Sequence, residues 1–266
     1  MTMNSLTERG VWAYDISRGT LTPLARDGEA VRTPEWFPDG QRVAFGWLKD
    51  GPRSLVVQPA DGTSPPRVLV AGEFIPMSFR TDEQLAAYRE GQQAAVLVTF
   101  ENGKVGVKPL LDTPKDADSA AFSRDGNWLA YASNVSGRNE VYVRPYPGPG
   151  KAEQVSLEGG SSPAWNPNGR ELFFDTGLPA PTRRMMAVDF APGSPPRIGR
   201  PQTLFEFDPT DLVFACLPSR CYDVALDGQS FYAMQVRTPP PRPVVTHINL
   251  IPNWFEELKA KAPVKR

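Results

Sequence analysis

The chain has 266 residues, 40% of them hydrophobic, with a formal net charge of −1 and a pI near 6.0. Its 29 lysines and arginines against 30 aspartates and glutamates leave no excess of positive charge to neutralise phosphates, which disfavours nucleic-acid binding. The longest uncharged apolar run near either end, 244–251, is too short to cross a bilayer, so we expect no transmembrane helix.

The 29 prolines and 22 glycines fall at turns between β-rich runs, a composition typical of many short strands. All-β domains of this length commonly form one folding unit. We therefore expect one domain over 1–251, followed by a short C-terminal helix and tail over 252–266.

The first ten residues lack both a basic segment and an apolar segment, so they do not read as a secretory signal. Residues 10–25 read as the two outer strands of an incomplete unit, because Val11 to Asp15 alternates and Leu21 to Ala25 follows a turn. A beginning in mid-unit is consistent with a fragment of a longer protein.

A turn motif then repeats, in which an aromatic or apolar residue leads into a turn at Asp or Asn, with Gly next in four of the five copies, and an apolar strand leaves it. The turn residues are Asp39, Gly40, Asp82, Asp125, Gly126, Asn168, Gly169, Asp227 and Gly228. Positions 39, 82, 125 and 168 are 43 residues apart, and the last interval, to 227, is 59. A period of about 40 to 45 residues with four strands per unit predicts a β-propeller.

We predict the units over 33–72, 76–113, 118–158, 162–207 and 222–250. Four complete units plus one blade shared by the two termini make five blades, whereas separate terminal pieces make six. The predicted fold class is therefore an all-β propeller of four-stranded antiparallel blades, with five or six blades. Asp or Asn before Gly accepts positive φ and bonds its own backbone, so the motif reports architecture and needs no activity.

The loops between second and third strands lie on the rim opposite the turns. This rim is the more varied and more basic of the two, and loops on a rigid scaffold often carry binding residues. Our candidate recognition residues there are Arg53, Arg138, Asn139, Arg183 and Arg184. The alternative is that these loops are solvated connections that bind nothing.

Two stretches carry a resemblance to known families. Trp36 to Phe45 looks like the Pro-Asp-Gly repeat of TolB-like β-propellers, which are related to WD40-like repeats. The run Gly137 to Lys151, with Trp165 to Phe174 and Asn253 to Leu258, is similar to the C-terminal propeller region of bacterial receptor-like serine/threonine kinases. The likeness covers nearly the whole chain.

That resemblance implies a sensor or protein-interaction module in an extracytoplasmic or periplasmic location. The kinase domain itself is absent from this chain, because there is no Gly-rich phosphate loop, no His-Arg-Asp catalytic loop and no Asp-Phe-Gly. Phosphoryl transfer is therefore not carried over.

Catalytic and metal-binding signals are weak. The chain has one histidine, His247. A catalytic base needs a nucleophile beside it, and the sequence contains no Gly-x-Ser-x-Gly motif, so a structural role on a strand is the better interpretation. One His and two Cys do not give the spacing of zinc ligands. Calcium is the one metal left open, with Glu35, Asp118 and Asp223 near the beginnings of innermost strands as candidate ligands, or as ordinary solvated strand ends.

Two further features have alternative interpretations. Cys216 and Cys221 flank a proline turn and either close a small disulfide loop, consistent with an oxidising compartment, or stay as two reduced thiols. The segment 251–261 reads as a short helix capped by Asn253, which either seals the edge of the propeller or docks a partner.

The leading hypothesis is a non-catalytic propeller that binds a protein, peptide or small ligand, without cofactor and with its oligomeric state left open. The alternative is a metal-dependent hydrolase or lactonase with carboxylates in the central channel. A calcium ion or three convergent carboxylates at the channel mouth would favour the enzyme. A channel plugged by apolar side chains would favour the binding module.

Overall fold

The computed structural model describes residues 2–4, 10–25, 30–48, 53–101, 103–112, 117–177 and 182–236. Within these ranges the regular structure is β-strand apart from one 3₁₀ helix, Glu90–Gln92. The predicted C-terminal helix and tail, 252–266, and the predicted strand around 244–250 lie outside the described residues, as do His247 and the loop 237–242.

An N-terminal sheet of three antiparallel strands comes first. Its strands are β1 (Thr2–Asn4), β2 (Val11–Asp15) and β3 (Thr20–Ala25), in that spatial order. The sequence predicts the last two of these strands.

Four complete blades follow, each an antiparallel meander in chain order. Blade 1 contains β4 (Ala30–Trp36), β5 (Arg42–Leu48), β6 (Ser54–Pro59) and β7 (Arg67–Ala71). Blade 2 contains β8 (Phe74–Thr81), β9 (Gln84–Arg89), β10 (Ala94–Glu101) and β11 (Lys104–Pro109). Blade 3 contains β12 (Ala117–Phe122), β13 (Trp128–Ser133), β14 (Glu140–Pro145) and β15 (Glu153–Gln154). Blade 4 contains β16 (Ser161–Trp165), β17 (Glu171–Asp175), β18 (Arg183–Ala191), β19 (Arg197–Ile198) and β20 (Gln202–Phe207), the last two both pairing with β18.

Blade 5 is built differently, because its outer strand precedes its inner strands in the chain. It pairs β21 (Leu212–Val213) with β25 (Phe231–Gln235), and β25 with β24 (Tyr222–Val224). Between β21 and β24 the chain forms a two-stranded hairpin, β22 (Ala215–Cys216) and β23 (Ser219–Arg220).

The predicted fold class is therefore confirmed as an all-β propeller of five blades. Among the described residues β2 pairs with β1 and β3, while β25 pairs with β21 and β24, so the terminal sheets share no strand pairing there.

Successive sheets pack face to face, and the hydrophobic core lies between them. Five clusters fill the gaps between the N-terminal sheet and blade 1 and then between each pair of consecutive blades, with Val11 and Phe45, Leu55 and Leu85, Leu97 and Phe122, Val143 and Leu172, and Phe173 and Tyr222 among their members. Strand β13 shows why the sequence does this. Trp128 and Ala130 face blade 4 while Leu129 and Tyr131 face blade 2, so every position is buried.

The Asp/Asn-Gly turns lie together on one rim, which we call the turn rim. Gly126 and Gly228 adopt φ of 68°, and the carboxylate of Asp125 accepts a hydrogen bond from the backbone N–H of Asn127 at 3.1 Å. The turns also join neighbouring blades, because Arg80 Nε donates to the carbonyl of Gly126 at 2.9 Å. The architectural interpretation of the motif accounts for these contacts.

Candidate functional site at the channel mouth

The first strand of each complete blade carries a β-bulge at an equivalent position. The unpaired residues of these bulges begin at Thr33, Met77, Ser119 and Ser162, at intervals of 44, 42 and 43 residues. Thr33, Ser119 and Ser162 have left-handed φ values of 23°, 50° and 54°. Such backbone outliers at equivalent places are stabilised by their surroundings and often mark sites where a strand must be redirected.

The β22–β23 hairpin lies at the centre of the propeller. It contacts the first strands of all four complete blades: Pro218 O accepts the Ser119 N–H at 2.8 Å, Arg220 Nη1 donates to Met77 O at 3.2 Å, and the hairpin also reaches β4 and β16. The chain leaves it directly into β24, and first strands begin on the rim opposite the turns. The hairpin therefore covers the mouth of the central channel on that side, which we call the recognition rim.

Cys216 and Cys221 close the base of this hairpin with a disulfide, so of the two interpretations of these cysteines the structure has the bonded one. The Cys221 N–H also donates to Phe214 O at 2.8 Å, and Phe214 is buried between blades 4 and 5. The loop is thus fixed at its base, while Leu217 at its tip is 44% exposed.

Arg220 carries the charge of the hairpin into the channel. Its Nη2 lies 3.6 Å from Glu35 Oε1 and 3.9 Å from Asp223 Oδ1. Burial on its own would lower the pKa of Arg220, but the two carboxylates raise it, so the guanidinium stays charged.

Glu35 is perturbed in the opposite direction. Its side chain is 22% exposed, yet the surrounding strands and hairpin exclude most solvent, and this burial raises its pKa to about 7 despite Arg220. Burial likewise raises the pKa of Asp118 to about 6. Two carboxyl groups near the hairpin therefore titrate close to neutrality.

Several polar atoms around the hairpin are buried without a hydrogen-bond partner among the described groups. They include Thr33 Oγ1 and Ser162 Oγ. Ser119 Oγ and Asp118 Oδ1 are buried there too, and the interaction of the Ser119 hydroxyl with the Asp118 carboxylate opposes the effect of burial on the pKa of Asp118. Three of these four belong to the bulge residues. Burying a hydroxyl without a partner costs free energy, so the closed channel mouth is polar and incompletely satisfied.

Tyr222 links the site to blade 4. Its hydroxyl donates to the carbonyl of Ser162 at 2.7 Å, and burial followed by the nearby Asp175 carboxylate raises the pKa of Tyr222 well above its ordinary value. The phenol therefore stays protonated and acts as a hydrogen-bond donor that fixes the Ser162 bulge.

The predicted recognition residues lie along the recognition rim, mostly in ion pairs. Arg53 pairs with Glu90, and Arg138 pairs with the buried Glu140 at 2.6 Å. Arg184 reaches Glu158 at 3.2 Å. The first and third pairs join segments that are distant in the chain, whereas Arg138 and Glu140 are two residues apart.

The other two predicted residues are Arg183 and Asn139. Arg183 is 5% exposed and pairs with the buried Asp175, while the Asn139 carbonyl accepts the N–H of Gly160 at 2.9 Å. The role of all five in recognition stays a prediction. Apolar side chains also project from this rim: Val135 is 66% exposed and Leu157 is 67% exposed.

Metal chemistry finds little support in the part of the chain that is described. No group of three or more His, Cys, Asp or Glu side chains has a metal-binding arrangement there. The candidate calcium ligands do not converge on an open space, because the Arg220 guanidinium lies between Glu35 and Asp223. Calcium binding stays a prediction that the described residues do not test.

Sequence reasoning missed Arg220 and the bulge residues. Ser119 and Ser162 could have been found by applying the 43-residue spacing to polar residues as well as to turns. Arg220 had no such signal, since its partner Glu35 lies 185 positions earlier in the chain.

None of the described helical segments is long and apolar enough to cross a membrane. No protein-family model matches the chain, and a search of curated proteins also finds no match.

Solved structures match in fold. The chain is similar to a protein from Agrobacterium tumefaciens assigned as TolB, with a TM-score of 0.66, 15% identity, and coverage of 88% of this chain and 86% of that one. It is also similar to TolB from Acinetobacter baumannii, with a TM-score of 0.57, 15% identity, and coverage of 76% and 53%. A protein from Bacteroides uniformis assigned as a 6-phosphogluconolactonase matches with a TM-score of 0.52, 18% identity, and coverage of 87% and 72%.

At these identities the likeness shows a shared TolB-like propeller fold and does not show an activity. The predicted resemblance to TolB-like propellers is confirmed at the level of fold. The finer resemblance to the propeller region of receptor-like kinases stays a prediction.

Proposed function

We propose that the chain is a non-catalytic recognition module that binds a protein or peptide across the recognition rim, in the manner of a sensor domain. The observation that carries this proposal is the disulfide-closed hairpin over the channel mouth, whose Arg220 lies against Glu35 and Asp223. A hydrolase that uses channel carboxylates needs them open to substrate and metal, whereas a binding surface around the mouth does not.

Two further features support binding at this rim. Val135, Leu157 and Leu217 are large exposed apolar side chains, the kind that anchor a partner when surrounded by charged groups such as Arg138 and Arg184. The disulfide is consistent with an oxidising compartment, which supports the extracytoplasmic location implied by the kinase resemblance.

The test is a peptide-display selection on the purified, oxidised chain, followed by affinity measurements on the selected peptides. We expect Val135→Asp and Leu157→Asp each to weaken binding at least tenfold, because a charge replaces an apolar contact. Leu226→Asp is the matched control, since Leu226 is 86% exposed but lies in the turn of blade 5 on the opposite rim. Failure to select any peptide, or equal loss in the control, would contradict the proposal.

One observation favours the alternative enzyme. A carboxyl group with a pKa of about 7, as burial gives Glu35, suits a general acid or base at neutral pH. Assays with lactone and ester substrates, with and without added Ca²⁺ or Mn²⁺, address this alternative. Turnover by the wild-type chain that Glu35→Gln abolishes would replace the binding module with a propeller hydrolase.

A further inference from the structure

Arg220 is held loosely for a buried cation. Its contacts with Glu35 and Asp223, at 3.6 and 3.9 Å, are longer than the 2.7 to 2.9 Å typical of a charge-assisted hydrogen bond, and only the Met77 carbonyl, at 3.2 Å, lies near bonding distance. The site therefore offers negative charge that the hairpin does not use fully.

The hairpin also leaves its surroundings unsatisfied. Ser119 is 3% exposed and Ser162 is fully buried, yet neither hydroxyl hydrogen-bonds the hairpin, although the Ser119 backbone N–H donates to Pro218 O directly. Asp118 Oδ1 is also buried without a hydrogen bond to the hairpin. The hairpin therefore buries polar groups without giving them hydrogen bonds, which costs free energy. A ligand that supplied those hydrogen bonds would recover it.

The charges that remain if the hairpin withdraws define the occupant. Glu35 and Asp223 would then lie at the mouth without Arg220, and Asp118 is next in the chain to the Ser119 N–H that the hairpin occupies, so electrostatic complementarity calls for a cation. The hairpin itself shows what shape fits. A main-chain carbonyl at Pro218 and a guanidinium two residues later at Arg220 occupy the site together.

We propose that the hairpin is an autoinhibitory plug, and that Arg220 stands in for the arginine of a partner's extended peptide, which binds between Glu35 and the Met77 carbonyl. The partner peptide places a main-chain carbonyl on the Ser119 N–H and its arginine two residues further along. This inference rests on the proposed function and names the class of peptide that the site takes.

The loop supplies its own probe. Fluorescein-labelled Leu-Pro-Ser-Arg amide, and the same peptide with citrulline in place of arginine, are titrated into the full chain and its variants. Citrulline keeps the shape of arginine and removes the charge. Fluorescence anisotropy gives the affinity, and circular dichroism with thermal unfolding confirms that each variant is folded.

We expect Arg220→Gln to bind the arginine peptide at least ten times more tightly than the wild type, because the competing side chain is gone. The citrulline peptide should bind that variant at least ten times more weakly than the arginine peptide does. The arginine peptide should also bind the double variant Arg220→Gln, Glu35→Gln at least ten times more weakly than it binds Arg220→Gln. Arg170→Gln, an exposed arginine on the turn rim, is the control and should match the wild type.

A second variant guards against misfolding of Arg220→Gln. Cys216→Ser with Cys221→Ser keeps Arg220 but loosens the hairpin, and we expect an intermediate gain in affinity for the arginine peptide. No gain in either variant, or equal binding of the citrulline peptide, overturns the plug. If display-selected peptides bind the rim without regard to Arg220 and Glu35, the proposed function stands and this inference fails; if no peptide binds any form, both fail.

Discussion

The turn rim and the channel mouth use the same chemical group in opposite ways. On the turn rim the pKa of Asp125 is lowered, because hydrogen bonds from Ser123 and Asn127 outweigh the effect of burial. The pKa of Asp39 is lowered in the same way by hydrogen bonds from Gln41 and Arg42. At the channel mouth burial dominates and raises the pKa of Glu35 to about 7. The carboxylates of the turn rim are satisfied, whereas those of the mouth are not.

This difference teaches how the two ends of a propeller are built. Four of the five turns obtain a hydrogen bond from the backbone N–H two residues further along, so the arrangement can be copied from blade to blade. The mouth is assembled from the first strands of several blades and an inserted hairpin, and no local rule satisfies its polar groups. Local hydrogen bonds and repetition account for the turn rim, whereas the polar groups of the channel mouth depend on contacts between blades.

The largest loss of stability is expected from a substitution on the turn rim where two blades are in contact. Gly228 has φ of 68° and a Cβ there would lie 2.4 Å from Asn166 Oδ1, whereas Gly40 has φ of 65° with nothing within 4 Å. Gly228→Ala should therefore lower the free energy of unfolding by about 3 kcal/mol and Gly40→Ala by about 1 kcal/mol, since only the first adds a steric clash to the backbone strain. Urea unfolding measures both, and equal losses would show that the turns do not join the blades.

The next effect is a pH dependence confined to the mouth. The pKa of Glu35 in the folded chain, about 7, exceeds its ordinary value of 4.5, so between these values the folded state binds the extra proton. The stabilisation is complete below pH 4.5 and is lost as the pH rises through 7. Relative to Glu35→Gln, the free energy of unfolding of the wild type should fall by about 2 kcal/mol over this range, a figure that allows for partial solvent access to Glu35.

Asp125→Asn is the control for this titration. Its lowered pKa contributes stability above the ordinary value of 3.8, which is lost only as the pH falls towards the folded value. The difference in free energy of unfolding between Asp125→Asn and the wild type should stay constant between pH 4.5 and 7. Urea unfolding at several pH values separates the two, and a flat difference for Glu35→Gln would contradict the burial of its carboxyl.

The smallest effect compares two buried serines. Ser156 Oγ accepts the Val141 N–H at 2.8 Å and donates to Glu140, whereas the one described interaction of the Ser119 hydroxyl is with the neighbouring Asp118 carboxylate. Ser156→Ala should destabilise the chain by about 1 to 2 kcal/mol, while Ser119→Ala should be neutral or slightly stabilising. Thermal unfolding checks this pair, and an equal loss for Ser119→Ala would mean that its hydroxyl is satisfied after all.

Much of the fold could be predicted from the chain, and less of the site. The turn residues and strand alternation are local signals, and both are confirmed in strands such as β13. Arg183 and Arg184 show where such reasoning stops. Adjacent positions of β18 face opposite sides of its sheet, so Arg183 is buried against Asp175 while Arg184 is partly exposed, although both were predicted on one recognition surface.

The amino-acid sequence by itself determined that this protein is a propeller, because the period of its turns and the alternation of its strands act over a few residues. Only the tertiary structure decided that the loop at Pro218 to Arg220 covers the channel, that Arg220 contacts Glu35, and that Ser119 and Ser162 are buried. Those contacts join residues far apart in the chain, and burial, which sets their charge states, is a property of the assembled blades.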